Sequence, residues 1–181
     1  MKILQAPFDH QELIGLNAGD HIQINGSFLV ARDAAHKRLY QSIQEGRELP
    51  VSLRGESVYY MGPSPAKEGE VIGSAGPTTS GRMDAYTPAL LDCGLIAMIG
   101  KGYRSPEVIE AILKHQAVYF VCIGGAGALI AQSIKKYEVI AYPDLGPEAI
   151  ARIEVEGFPC IVAIDSRGNN FYKQGRKLME G

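Results

Sequence analysis

Three short segments of this 181-residue chain carry residue types suited to binding and transforming a small anion. Arg32 opens Ala31-Arg32-Asp33-Ala34-Ala35-His36, at the start of a predicted helix. Thr78, Thr79, Ser80 and Arg82 fall within Gly76-Pro77-Thr78-Thr79-Ser80-Gly81-Arg82-Met83-Asp84, between a predicted strand and a predicted helix. Lys101 stands between two glycines in Gly100-Lys101-Gly102, just past a predicted strand. A guanidinium grips a carboxylate through two parallel hydrogen bonds. Hydroxyls and free backbone N–H groups at a helix start accept anion oxygens as neighbours. Glycines beside Lys101 let a ligand approach the backbone closely. Together these groups suit a small dicarboxylate or a phosphate. Each also has a plainer use. Ser and Thr at a helix start cap it, an arginine in a first turn commonly sits in solvent or in an ion pair, and Gly-Lys-Gly makes a turn. His36 lies one helical turn from Arg32 and shares its face.

Other reactive residue types give weaker signals. Gly124-Gly125-Ala126-Gly127 follows a predicted strand as a phosphate loop would. It lacks the G-x-G-x-x-G spacing and the Gly-Lys-Ser/Thr ending, so close strand-to-helix packing accounts better for it. Cys93, Cys122 and Cys160 are far apart, odd in number and without C-x-x-C, so reduced thiols in a cytoplasmic protein are expected rather than a disulfide framework. They sit on separate predicted elements, and free cysteine is commonly buried. His21 and His36 show no metal-ligand spacing. No metal ligand is assigned to this chain.

The elements that must position these residues follow from periodicity. Hydrophobic residues make up 46% and charged residues 21%, which is the composition of a globular domain, and residues 1–181 are read as one domain. A net charge of −2 argues against a partner such as nucleic acid or an acidic membrane, which demand a basic excess. The N-terminal sixteen residues carry Asp9 and Glu12 and no long apolar run, unlike a signal peptide or a membrane span. The first eighteen or so residues (roughly 1–18) are read as an extended arm. Strands are expected at 21–24, 57–61, 71–75, 95–99, 117–123, 138–142 and 160–164. Helices are expected at 32–46, 83–92, from 105 onward, from 127 to about 136, and at 147–153, and Ser166-Arg167-Gly168-Asn169 reads as a hairpin turn before a strand at 170–173. Alternation of strand and helix from Val71 onward argues for an α/β domain with a mixed, partly parallel sheet and covering helices, flanked by a strand-rich N-terminal third.

The Ala-Arg-Asp-Ala-Ala-His block, the Gly-Pro-Thr-Thr-x-x-Arg-Met core, Ile99-Gly100-Lys101-Gly102 and the tail Ile164-Asp165-Ser166-Arg167-Gly168-Asn169-Asn170 resemble, in order and spacing, the class I iron–sulfur fumarases. The likeness is to the C-terminal domain of the fused enzymes and to the separate beta subunit of fumarase and L(+)-tartrate dehydratase, and it runs from about Gly19 to Lys173. The resemblance implies a swivelling-type β/β/α domain that packs on an alpha subunit. That partner would hold a 4Fe–4S cluster through three cysteines, so this chain would be inactive alone. It further implies that Arg32, Arg82 and Lys101 bind substrate carboxylates and that Thr78 removes the carbon-bound proton. Thr79 and His36 lie inside matched motifs without an assigned role, supporting the site from behind. The implied reaction is reversible dehydration of a 2-hydroxydicarboxylate, malate to fumarate in the first instance, with tartrate as the alternative substrate. Outside catalysis, an anion-binding or regulatory module using the Gly124 loop is the remaining reading.

Overall fold

Two long strands organise the chain, β2 (His21–Val30) and β7 (Ile150–Ile164), paired antiparallel from end to end. They are seen in a computed structural model that describes residues 1–124 and 126–174. The other edge of β2 takes β1 (Lys2–Ala6) along its first half and β3 (Ser57–Tyr59) at its end, both parallel. The other edge of β7 takes β6 (Ile134–Ala141) first and then β5 (Val118–Cys122), both antiparallel. The four-residue β4 (Ala97–Gly100) lies parallel between β3 and β5. The β2–β7 pairing therefore closes β2-β3-β4-β5-β7 into a ring, with β1 and β6 leaving it where the two long strands change partners. Gly26 makes one of these changes possible. It sits at φ +107° beside a register shift, and a Cβ there would lie 2.0 Å from the Ala6 carbonyl oxygen.

Strands β3 and β4 are buried at every residue, as strands covered on both faces are. On one face Phe28, Tyr59 and Phe158 meet edge-on, 5.2–6.4 Å between ring centres, among Ile22, Ile24, Ile99 and Phe120. On the other, Leu29, Val58, Tyr60, Met98 and Tyr119 pack beneath α2 (Asp33–Gln44), α3 (Thr87–Asp92) and α4 (Pro106–His115). Alternate residues of one strand thus serve opposite cores. Helix α2 buries Ala35, His36 and Leu39. Helix α4 starts where Ser105 Oγ accepts the Val108 N–H with Pro106 in the first turn, and stops at Gln116 in the left-handed region.

The mixed sheet with covering helices is as expected, but several elements differ. The first eighteen residues are not an arm. They form β1 and the one-turn α1 (His10–Ile14), capped by Asp9, and Leu4, Ala6, Phe8, Leu13 and Leu16 are buried. Residues 71–75 form no strand. Ser74 N–H donates to Ser64 Oγ at 2.6 Å and Ser64 N–H to the Ser74 carbonyl at 3.3 Å, pinching residues 64–74 into a loop with no neighbouring strand. The expected helix 83–92 is a 3-10 turn at Ser80–Met83 followed by a separate α3, because Pro88 has no N–H and fits only a first turn. Helix α5 (Gly127–Ser133) stops before Lys136, where β6 already runs. The helix expected at 147–153 is instead a 3-10 segment, Pro143–Glu148, and the start of β7, whose buried Ala151, Ile153 and Val155 follow a period of two. Asn170 makes a single bridge to Ile164, and residues 171–174 form a helical turn rather than a returning strand. No helix among the described residues is long and apolar enough to cross a membrane.

Candidate active site

The candidate residues collect where parallel strands end. Arg32 follows β2, Tyr60 follows β3 and Lys101 follows β4, the end of an α/β sheet at which ligands bind. The stretch 78–80 is stitched across two of these ends. Thr78 N–H donates to the Tyr60 carbonyl at 2.9 Å, Thr79 bridges Lys101 in parallel, and Ser80 N–H donates to the Lys101 carbonyl at 2.9 Å. Ser80 Oγ in turn accepts the Lys101 N–H at 3.0 Å. Gly100 is what lets Ser80 tuck in, since a Cβ there would fall 2.0 Å from Ser80 Oγ. Thr78 is half-buried, while Thr79 and Lys101 are exposed.

The two arginines meet on one carboxylate. Arg82 Nη2 lies 2.6 Å from Asp33 Oδ2, and Arg32 Nε faces Asp33 Oδ1 at 3.6 Å and Glu148 Oε1 at 3.4 Å. Arg32 Nε and Asp33 Oδ1 are buried without a hydrogen-bond partner, so charge alone holds them. The outer part of Arg32 lies on Gly62, where a Cβ would stand 2.5 Å from Cδ and 2.6 Å from Nη1. Side-chain exposures of 27% for Arg32 and 51% for Arg82 leave both guanidinium groups within reach of a ligand. His36 supports this arrangement from below. Its Nδ1–H donates to the Arg32 carbonyl at 2.8 Å, its ring meets Tyr60 edge-on at 5.3 Å, and its Nε2 is buried without a hydrogen-bond partner. Burial pushes its pKa down to about 4; the Arg32 carbonyl opposes this and the Arg104 charge adds to it, so the ring is neutral near pH 7.

Arg32 and Arg82 are thus joined through Asp33, and Thr78, Thr79 and Lys101 through the stitch. Tyr60 links the two sets, touching His36 with its ring and Thr78 with its carbonyl. The cysteines do not join them. Cys122 faces Cys160 across β5 and β7, with its thiol 3.8 Å from the Tyr59 hydroxyl, whereas Cys93 ends α3 among the other core's residues. Burial raises the Cys122 thiol to about 12 and Cys160 well above its ordinary value. No group of three or more His, Cys, Asp or Glu able to hold a metal ion occurs among the described residues, so these side chains do not fit a cluster ligand set. The 164–170 motif is structural at its centre. Buried Asp165 accepts N–H bonds from Ala18, Arg167 and Asn169, and Arg167 reaches the Leu16 carbonyl and Asn17.

The family profile described as Fumarase C-terminus matches residues 3–175. The chain belongs to this family. It is similar to "Fumarate hydratase class I, aerobic" of Salmonella typhimurium, 42% identical over 166 residues, 91% of this chain and 29% of that protein. It is 39% identical over 175 residues to "Fumarate hydratase 2" of Leishmania major, 94% of this chain and 31% of that protein. It is 32% identical over 182 residues to "L(+)-tartrate dehydratase subunit beta" of Escherichia coli, 98% of this chain and 89% of that protein. The chain therefore spans about three-tenths of the fumarate hydratases it matches and most of the tartrate dehydratase subunit.

Within this fumarase C-terminus chain, sequence reading passed over several residues that shape the site. Asp33 and Gly62 orient Arg32, and Glu148 also receives the Ala34 N–H at 3.1 Å. Arg104 has no exposed side-chain surface and lies under the stitch, with Nε 2.7 Å from Asp84 Oδ1. No local pattern marks it, because its counter-ion Asp84 lies in another segment, 20 positions earlier.

Proposed function

We propose that this chain is the substrate-binding, proton-abstracting half of a class I-type hydro-lyase that reversibly dehydrates a 2-hydroxydicarboxylate. The observation that carries this reading is the pairing of Arg32 and Arg82 on one carboxylate beside the Thr78–Lys101 stitch, which supports three cations and a hydroxyl acting on one ligand. A four-carbon diacid presents two carboxylates to such a set. In this reading Arg32, Arg82 and Lys101 hold the carboxylate whose adjacent carbon loses its proton, and they stabilise the charge that builds on it. One preorganised donor of this kind lowers a barrier by about 3 kcal/mol. Thr78 Oγ takes the proton. An alcohol is a poor base near neutral pH, so its alkoxide needs a neighbouring cation, a role suited to Arg82 or Lys101. Thr79 and His36 hold these groups in place rather than touching substrate.

The remaining chemistry comes from a partner. We assign the 4Fe–4S cluster to an alpha subunit, where an open iron would act as a Lewis acid on the leaving hydroxyl. The name "subunit beta" of the tartrate dehydratase relative supports such a partner. We place the assembly in the cytoplasm, where three free thiols stay reduced. Malate and fumarate are the favoured pair, following the names of the fumarate hydratase relatives at 39–42% identity. Tartrate is the second reading, supported by coverage of 89% of a tartrate dehydratase beta subunit. Co-expression with a candidate alpha subunit under anaerobic conditions, cluster reconstitution and ultraviolet detection of the product, fumarate from malate or oxaloacetate from tartrate, decide between them. Turnover of malate but not tartrate is expected, turnover of tartrate alone reverses the substrate assignment, and turnover of neither removes the hydro-lyase reading.

A further inference from the structure

We propose that Arg104 is a positioning residue that locks the Thr78–Ser80 stretch to Lys101 by clamping Tyr60 and Tyr119, an inference that rests on reading Thr78 and Lys101 as substrate-facing. Each nitrogen of its guanidinium has a partner. Nε donates to Asp84 at 2.7 Å, Nη2 donates to Thr87 Oγ1 at 2.9 Å and to the Tyr60 hydroxyl at 3.2 Å, and Nη1 faces Met98 sulfur at 3.8 Å. Both ring systems lie against it, Tyr60 at 5.2 Å and Tyr119 at 4.8 Å from ring centre to Cζ. Asp84 spends its second oxygen on the Ser105 N–H at 2.8 Å, and Thr87 Oγ1 donates to the Met83 carbonyl at 2.9 Å. One buried cation therefore fastens residues 83–87 to residues 104–105.

The rings it clamps are the ones that hold the site. Tyr60 gives its carbonyl to the Thr78 N–H. The Tyr119 hydroxyl bonds both Ser80 Oγ, at 2.7 Å, and the Gly102 carbonyl, at 2.9 Å. A phenol has one proton, so it donates to the carbonyl while the Ser80 hydroxyl donates to it. Ser80 Oγ is then left to accept the Lys101 N–H. Moving Arg104 would shift Tyr60 and Tyr119 together, and with them both sides of the stitch. A stability role alone explains the arrangement poorly. Buried ion pairs are often matched or bettered by apolar residues of similar volume, so stability alone does not account for this one.

The test uses Arg104→Lys and Tyr119→Phe, the second being a single-atom deletion that preserves the packed ring. Amide hydrogen exchange is followed on the whole chain, and kcat and KM on the enzyme assembled with its alpha subunit. The Ser80 and Lys101 amides are expected to exchange at least tenfold faster in both variants, with β2 and β7 protected as in the wild type. Turnover is expected to fall about thirtyfold in both, with KM for the diacid within about threefold, as for loss of an interaction needed only in the transition state. Unchanged exchange at Ser80 and Lys101 in Tyr119→Phe, or a uniform loss of protection across β2 and β7 in both variants, would overturn the proposal. The exchange arm needs no turnover, so an inactive wild-type assembly would sink the hydro-lyase reading while exchange still decides the role of Arg104.

Discussion

Acid should weaken this fold through His36 in a way that one substitution removes. The imidazole is fully buried and lines a small apolar cavity with Leu29, Leu39, Leu53, Val58 and Leu90, its Nδ1–H is used by the Arg32 carbonyl, and its Nε2 has no acceptor for a second proton. Among the described residues Asp33 is the charge that favours protonation, and it is outweighed by burial and by Arg104. The folded pKa of about 4 lies below the 6.5 of a free side chain. Between these values the unfolded chain binds more protons, so stability rises with pH across the window. The contribution is full above about pH 6.5 and is lost as pH falls toward 4. At about 1.4 kcal/mol per pH unit the whole gap is worth roughly 3 kcal/mol, of which about 2.5 is gone by pH 4.5. Domain stabilities are about 5–15 kcal/mol, so this is a large share. In urea titrations of the isolated chain, with a slope of about 2 kcal/mol/M, the midpoint should fall by about 1.2 M between pH 7 and pH 4.5 on this account alone. His36→Asn keeps a donor for the Arg32 carbonyl and carries no titrating ring. Its midpoint starts lower, because volume is lost, but should decline with pH more shallowly by that amount. Parallel declines in wild type and variant would refute the reasoning.

The remaining predictions concern the site in the assembled enzyme. Thr78→Ala should collapse turnover by about a thousandfold while KM moves by less than about threefold, and near-normal turnover would remove the threonine as base. Arg82→Lys should fail despite its retained charge, losing at least about tenfold in kcat/KM, because an ammonium cannot form the paired hydrogen bonds of the fork; full activity would make Arg82 purely structural. Gly62→Ala should raise KM by about tenfold or more by pushing Arg32 off its seat, since a methyl would stand 2.5 Å from its Cδ, and an unchanged KM would show that Arg32 does not bind substrate from that position.

Sequence periodicity carried the α/β class and the mixed sheet because β4 and β5 are apolar throughout and the helices repeat their apolar residues at three and four. It failed where context overrides pattern. Ile150–Ile153 contains apolar residues at a spacing that either a helix or a strand accepts, and pairing with β2 on one edge and β6 on the other decides for a strand. Residues 71–75 have the composition of a strand but no edge to join, and the Ser64–Ser74 bonds settle their path. At the site, the motifs marked which segments carry chemistry, and the strand ends explain why these segments meet. The contact of Asp33 with Arg82 spans 49 positions of sequence, by subtraction of their numbers, and no local signal announces it. Arg104 was silent for a similar reason, because its partners Tyr60, Asp84 and Thr87 come from two other segments.

The pinch between Ser64 and Ser74 separates the loop tip from its stems. Both ends of the excursion are tied to each other before the chain reaches Gly62 on one side and Thr78 on the other. Bending or lengthening at 66–70 is absorbed above that knot instead of being transmitted to the arginine seat or the threonine, and closing a longer loop adds only about 0.6 kcal/mol per doubling. That segment is where a reporter peptide or an affinity handle could be spliced in with the chemistry below it left undisturbed.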